Sequence, residues 1–467
     1  MIGEVQMIMF NKRTKITLFY TVFTLIVIAI WLVMGNNKNL MIEAWIANIS
    51  YVVLCICLYI LNKNILNPSI IFMTFIFIFC NGQIFLYSLG LDTTNFFVFN
   101  SNTEDEILRA LTYFIFSFLI MGEGLIIVSK QESEKYNVSK EFNLSIRYIG
   151  YLLCILSVLP YSYNMIKMIV TTITSGYMAN YTGNSQGAGW GYIMEFFIPS
   201  LLLILYSYKN EKVKRNVFFI IIAIICILNL FTGSRAESMS IMVILLVFYN
   251  QYIKKFNKKN FIILLIIAFI AMTLISIIAK IRSKINTMEQ AISMIFINSN
   301  PVVETIEELG GTMNAWCLTD SVVPERQDFK YGESYVASFL MVIPSTFLGG
   351  YSFAPKAALD IWLQDILDMS YGPGFNIFAE TYYNFGWYGG IAFAFILGIF
   401  FGKMFNIKSK DKEKNEIFKL LSLIFLFNSL LIPRLPFHST IRNIFYMYIL
   451  VYIMIILRYN HNIKRRI

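Results

Sequence analysis

The chain has 467 residues, of which 57% are hydrophobic and only 14% charged, and its formal charge is +10. That balance excludes a string of soluble domains. Lys and Arg mark the cytoplasmic loops of membrane proteins, so the positive excess reads as topological and not as a nucleic-acid footprint. Cys55, Cys57, Cys80, Cys154 and Cys226 fall in apolar stretches and Cys317 in a polar loop, so neither a disulfide framework nor a zinc cluster is expected.

A hydrocarbon core of about 30 Å needs about 20 apolar residues per helix. Such stretches predict twelve spans, at 16–34, 41–61, 69–90, 107–128, 148–170, 191–208, 217–232, 236–252, 260–280, 386–405, 416–433 and 441–458. Lys12, Arg13 and Lys15 precede the first span, which has no small-residue cleavage site and reads as an uncleaved helix. With both termini cytoplasmic, roughly two thirds of the 38 Lys and Arg lie inside, as the positive-inside rule requires. Among the outer connections, Asp92 and Glu104–Glu106 make one acidic, and 172–190 is uncharged and rich in Gly, Ser, Thr and Asn. The longest outer segment, 281–372, carries amphipathic pieces at 288–297 and 357–367 and Gly-Gly turn signals, so an ordered subdomain is expected there. The expected organisation is an N-terminal bundle of about nine helices (1–280), this outer subdomain (281–372) and about three C-terminal helices (373–467). No internal repeat or low-complexity tract is visible.

Inside loops account for most basic residues, so the informative ones are those left outside: Arg235, Arg282, Arg326, Arg434 and Arg442, with Arg109 near an outer helix end. A guanidinium stays charged at low dielectric and its fork of donors matches phosphate oxygens. Gly233-Ser234-Arg235-Ala236-Glu237 joins two spans by a very short turn. Arg235 there is either a snorkelling residue paired to Glu237 or an anion clamp beside a helix N-terminus. Pro433-Arg434-Leu435-Pro436-Phe437-His438-Ser439-Thr440-Ile441-Arg442 puts two arginines and a histidine on another short outer connection, the histidine being incidental or catalytic. In the stretch 372–389, glycines bracket a short helical piece that re-enters the membrane region before the next span. Trp387 and Tyr388 suit an interfacial belt. Glu380, in an aromatic setting, is either a structural partner for an outer arginine or an acid–base group. No Walker loop, dinucleotide fingerprint or Asp-x-Asp pair is present, so no cofactor or metal is expected.

These motifs, together with the dozen spans and one long late outer loop, resemble the O-antigen polysaccharide polymerase (Wzy-type) family, also described as oligosaccharide repeat unit polymerases. Many members look like Gly-Ser-Arg-Gly-Glu at the first motif, where this chain has Ala236. The resemblance implies an all-α polytopic membrane protein of GT-C-related architecture in the bacterial cytoplasmic membrane. It implies a glycosyltransferase that moves the growing glycan from polyprenyl diphosphate to a new lipid-linked repeat unit on the outer side. Its partners would be that lipid-linked oligosaccharide, membrane lipids and a chain-length regulator, with no nucleic acid. On this reading Arg235, Arg434, Arg442 and Arg282 hold the diphosphate, and Glu380, then Glu237 and His438, are the candidate bases. An O-antigen ligase-like transferase would share donor and arginines. A lipid-linked oligosaccharide flippase would show two related halves and mid-span charges, and a noncatalytic scaffold would not require outer arginines.

Overall fold

The computed structural model describes residues 2–35, 38–129, 138–175, 179, 190–232, 235–256, 300–343 and 345–464. The described residues form helices and turns, with no strand among them. In chain order the helices used below are α1 (Ile2–Met34), α2 (Leu40–Asn62), α3 (Pro68–Ser88), α4 (Glu104–Val128), α5 (Lys140–Ser175), α6 (Phe197–Ser207), α7 (Lys212–Thr232) and α8 (Arg235–Phe248). They continue with α9 (Pro301–Leu309), α10 (Met313–Val322), α11 (Glu333–Leu340), α12 (Leu359–Ile366), α13 (Ile377–Phe405), α14 (Lys412–Ser429), α15 (Phe437–Asn443) and α16 (Val451–Lys464). Wider-wound π turns extend α8 to Ile253 and join α15 to α16.

Ten described helices are long and apolar enough to cross a membrane. They correspond to ten of the twelve expected spans. The expected span at 191–208 is a shorter apolar helix, Gly191–Ser207, and the one at 260–280 lies outside the described residues. The expected span at 148–170 is longer than its apolar pattern suggested, because α5 runs 36 residues and carries Pro160 without ending there. Local chemistry sets many helix starts. Asn39, Asn67, Asn376 and Asp411 each accept backbone N–H groups at the head of α2, α3, α13 and α14. Thr103 and Glu106 form a reciprocal capping box on α4.

The core of the bundle is α3, α4 and α14, whose apolar windows are 83%, 72% and 78% buried, whereas that of α1 is 17% buried. Exposed Leu18 and Val33 on α1 and Leu159 and Ile166 on α5 give these helices a lipid-type surface. Helices α4 and α13 approach each other closely. A Cβ on Gly398 would overlap the Met121 carbonyl oxygen, and one on Gly124 would overlap that of Phe395, so only glycine lets the two backbones meet.

This packing fixes which helix ends lie together. Val247 and Asn250 near the end of α8 line one cleft with Asn415 and Lys419 near the start of α14. The two packed helices are therefore antiparallel, and the first residue of α8, Arg235, lies at the same end as the last turn of α14. The loops Lys209–Lys214 and Lys408–Lys414 mark the opposite, lysine-rich end. The segment 300–376, built of short helices, covers the end where α4 and α13 begin. Its α9 and the following turn pack on α3, and its α10 packs on α4 and α13.

Candidate functional site

The site assembles where α13, α11 and α15 begin. Asn384 organises the approach of the first two. Its Oδ1 accepts the N–H groups of Gly332 (3.0 Å) and Ser334 (3.4 Å), and its Nδ2 donates to Ser334 Oγ (2.8 Å). The neighbouring main chain adds Tyr331 N–H to the Asn384 carbonyl at 2.8 Å. Both the carbonyl and the side chain of Asn384 are thus used to pin one turn. Two residues on, Gly386 adopts φ 66°, ψ −162° and kinks α13, a backbone region essentially closed to other residues. The kink separates a short first piece, which holds Glu380, from the long apolar piece below it.

Glu380 is the junction, with 1% of its surface exposed. Its Oε1 accepts from Ser334 Oγ at 2.7 Å and its Oε2 from the Phe437 N–H at 2.7 Å. One carboxylate therefore ties α13 to both α11 and α15. The expected alternative, an arginine partner, is not what the structure shows: among the described residues both oxygens are taken by a hydroxyl and a backbone amide.

Around the start of α15 stand the other late residues singled out in the sequence. The Arg434 carbonyl accepts the Phe375 N–H at 3.1 Å, which lays the Gly372–Phe375 stretch beside the α14–α15 turn. The Arg434 side chain is half-buried and has no ion pair among the described residues. His438 Nδ1 lies 3.1 Å from the Ala357 carbonyl oxygen. One helical turn on, Arg442 Nη2 donates to Glu195 Oε1 at 2.7 Å, with the Tyr192 ring 5.4 Å from its guanidinium carbon. Arg442 Nε and Glu195 Oε2 are buried without a further hydrogen-bond partner, as are Tyr335 Oη, Thr440 Oγ1 and Asp360 Oδ1. Orphaned polar atoms are rare in folded proteins, and here five of them border α15.

The structure thus brings Glu380, His438, Arg434 and Arg442 together. Arg235 opens α8 at the same end of the bundle. Glu237, in the first turn of α8, interacts electrostatically with Tyr161 of α5 and Cys226 of α7. Arg282 lies outside the described residues. The sequence reading missed Ser334, Asn384, Asp360 and Glu195. A Ser, an Asn and two acids in polar or aromatic surroundings carry no periodic signal, and only chain folding across 46 to 247 residues gives them partners.

At the same end but outside this cluster, Arg109 Nη2 meets Asp320 Oδ1 at 3.0 Å. Burial outweighs this partner and holds the Asp320 carboxyl above its ordinary value.

Helices enough for ten crossings, with a buried carboxylate, a histidine and two arginines at one end of them, define a polytopic membrane protein. Residues 16–466 match the model of the family described as O-antigen polysaccharide polymerase Wzy, and the chain belongs to that family. It is a polysaccharide-synthesis protein of the polymerase type, acting on lipid-linked oligosaccharide in a bacterial membrane. No curated protein and no solved structure matches the chain.

Proposed function

We propose that this protein transfers the growing glycan from its polyprenyl diphosphate to a new lipid-linked repeat unit, at the outer side of the cytoplasmic membrane, with both termini cytoplasmic. The observation that carries the reading is the placement of Arg434, His438, Arg442 and Glu380 along α15 and the turn before it, at the end of the bundle opposite the lysine-rich loops. Arg434, Arg442 and Arg235 bind the diphosphate, with Arg282 as a further ligand from the long loop. As the sugar–phosphate bond breaks, negative charge grows on the leaving diphosphate. Fixed guanidinium groups in a poorly hydrated setting stabilise that charge without reorganising. The acceptor hydroxyl loses its proton to one of the acid–base groups beside them, Glu380 or His438. Glu237 is the third candidate, and its surroundings on α5 and α7 make it the weakest.

The lipid carrier has an apolar path to this site. Val336, Phe339, Ile343 and Phe347 are exposed along and beyond α11, and the Phe339 ring packs 6.3 Å from that of Phe437. A strip of this kind beside the arginines suits an isoprenoid chain whose diphosphate head reaches the guanidinium groups.

Deletion of the gene tests the proposal. The surface glycan should collapse from a chain-length ladder to single repeats. The wild-type gene should restore the ladder, and Arg235→Ala or Arg434→Ala genes should not. A ladder that survives deletion would overturn the reading. Loss of even the single repeat from the surface would point to a flippase, and polymer accumulating on the lipid carrier to a ligase.

A further inference from the structure

The two oxygens of Glu380 are both committed to donors, Ser334 Oγ and the Phe437 amide. Its neighbours are not so engaged. A carbonyl oxygen only accepts, so the contact between His438 Nδ1 and the Ala357 carbonyl (3.1 Å) places the imidazole hydrogen on Nδ1. Nε2 is then the nitrogen with a lone pair. Three residues beyond Ala357, Asp360 stands in the first turn of α12. It is not used to cap that helix, its Oδ1 is buried without a hydrogen-bond partner, and no cation pairs with it among the described residues. Its carboxylate lies close enough to interact electrostatically with both His438 and Glu380. The charged groups that interact with His438 are Asp360 from α12 and Arg442 one turn along its own helix, itself held by Glu195, while Glu380 of α13 and Tyr335 of α11 meet the neighbouring Phe437.

Resting on the polymerase reading above, we propose that His438 is the proton acceptor and that Asp360 is its positioning residue. The acceptor hydroxyl oxygen bonds to the anomeric carbon while the bond from that carbon to the diphosphate oxygen breaks. The bonding electron pair leaves with the lipid diphosphate, and the hydroxyl proton passes to His438 Nε2. The imidazolium so formed sits one turn from the Arg442 cation, which opposes it. The Asp360 carboxylate offsets that opposition, and the Ala357 carbonyl keeps the ring oriented throughout. The proton then leaves to water, restoring the neutral ring. Glu380 shapes the junction and exchanges no proton.

The test uses the full-length protein in proteoliposomes supplied with purified lipid-linked repeat units. Wild-type protein that forms no polymer there would refute the polymerase reading itself, independently of any variant. Given wild-type turnover, His438→Gln should lower kcat by about 10²- to 10⁴-fold, the range of a lost general base. Asp360→Asn should lower kcat about 10- to 100-fold with the donor KM within about twofold, and Asp360→Glu should recover most of the loss. Asp360→Asn added to His438→Gln should cost nothing more, because a positioning residue acts through its base. Wild-type kcat in Asp360→Asn, or a full multiplication of the two losses, would overturn the proposal. If Asp360→Asn does not fold, His438→Gln alone decides, since an unchanged kcat there is equally fatal.

Discussion

Glu380 is the best place to separate shape from chemistry. Glu380→Ala removes the acceptor for both the Phe437 N–H and the Ser334 hydroxyl, each held at 2.7 Å. Ser334 keeps Asn384 as a partner, but the buried Phe437 amide is left with none. A hydrogen bond to a charged group contributes about 1.5–3 kcal/mol. Local opening at the start of α15 should therefore become about 10- to 150-fold more frequent. Glu380→Gln behaves differently, because its amide oxygen can accept from Phe437 while its NH₂ donates to the Ser334 hydroxyl, which has two lone pairs. Hydrogen–deuterium exchange of the peptide spanning 437–443 in detergent-solubilised protein reads the difference. Fast exchange is expected in Glu380→Ala and near-wild-type exchange in Glu380→Gln, the latter with turnover within about tenfold of wild type. Unchanged exchange in Glu380→Ala would refute the clamp. Glu380→Gln with intact protection but no turnover would return the proton acceptor to Glu380.

Arg434→Ala should lower kcat/KM by about 10²- to 10³-fold, with Arg434→Lys in between; its backbone bond to Phe375 survives either change, so protein yield should hold. For Arg442 and Glu195, with side chains 29% and 27% exposed, a double-mutant cycle on thermal stability should give a coupling of about 1–3 kcal/mol, between the exposed and buried extremes; zero coupling would mean the pair contributes no stability. Gly386→Ala places a Cβ 3.1 Å from the Phe329 ring at a positive φ, and should cost about 1–3 kcal/mol in unfolding measurements. For Asp320 the sign follows from its raised carboxyl value: the folded chain holds that proton to higher pH than the unfolded chain. Its contribution to stability is full below the ordinary Asp value and is lost as pH rises through the folded one. Asp320→Asn should flatten stability against pH across the carboxylate range, and an unflattened profile would show the buried charge is compensated.

The spans were legible because a lipid-facing or buried helix needs an apolar run of known length, and Lys12–Met34, Leu40–Asn62 and Pro68–Ser88 supply such runs. The expected span at 191–208 is met by an apolar helix, Gly191–Ser207, shorter than the other ten. Gly386 was legible as a bracket of the re-entrant piece, and its positive φ explains why a glycine stands there. The late motif was legible as a cluster because Arg434, His438 and Arg442 are close in sequence, and α15 puts His438 and Arg442, four apart, on one face. Their partners were not. Glu195 reaches Arg442 from 247 residues away, and Ala357 offers His438 only a backbone carbonyl, for which side-chain identity carries no signal. Glu380 showed the opposite problem. Its aromatic setting was readable, but of the two readings it allowed, an arginine partner or an acid–base group, the first is not met, since the fold supplies a hydroxyl and an amide.

The charges at the site are unequal, and that inequality bears on where a diphosphate goes. Arg442 is already balanced by Glu195, which holds one face of its fork and leaves Nε without a partner. Arg434 is half-buried with no carboxylate paired to it among the described residues. An incoming anion therefore gains most at Arg434, where no existing ion pair is given up. At Arg442 it must share the guanidinium with a half-buried acid that keeps it in place. A shared arginine is a weak ground-state ligand and a well-oriented one, so it contributes most when the negative charge on the leaving diphosphate peaks. Interactions that strengthen towards the transition state raise kcat, whereas those already made with bound substrate lower KM. Arg434→Ala should consequently weaken donor binding as well as turnover, and Arg442→Ala should act mainly on turnover.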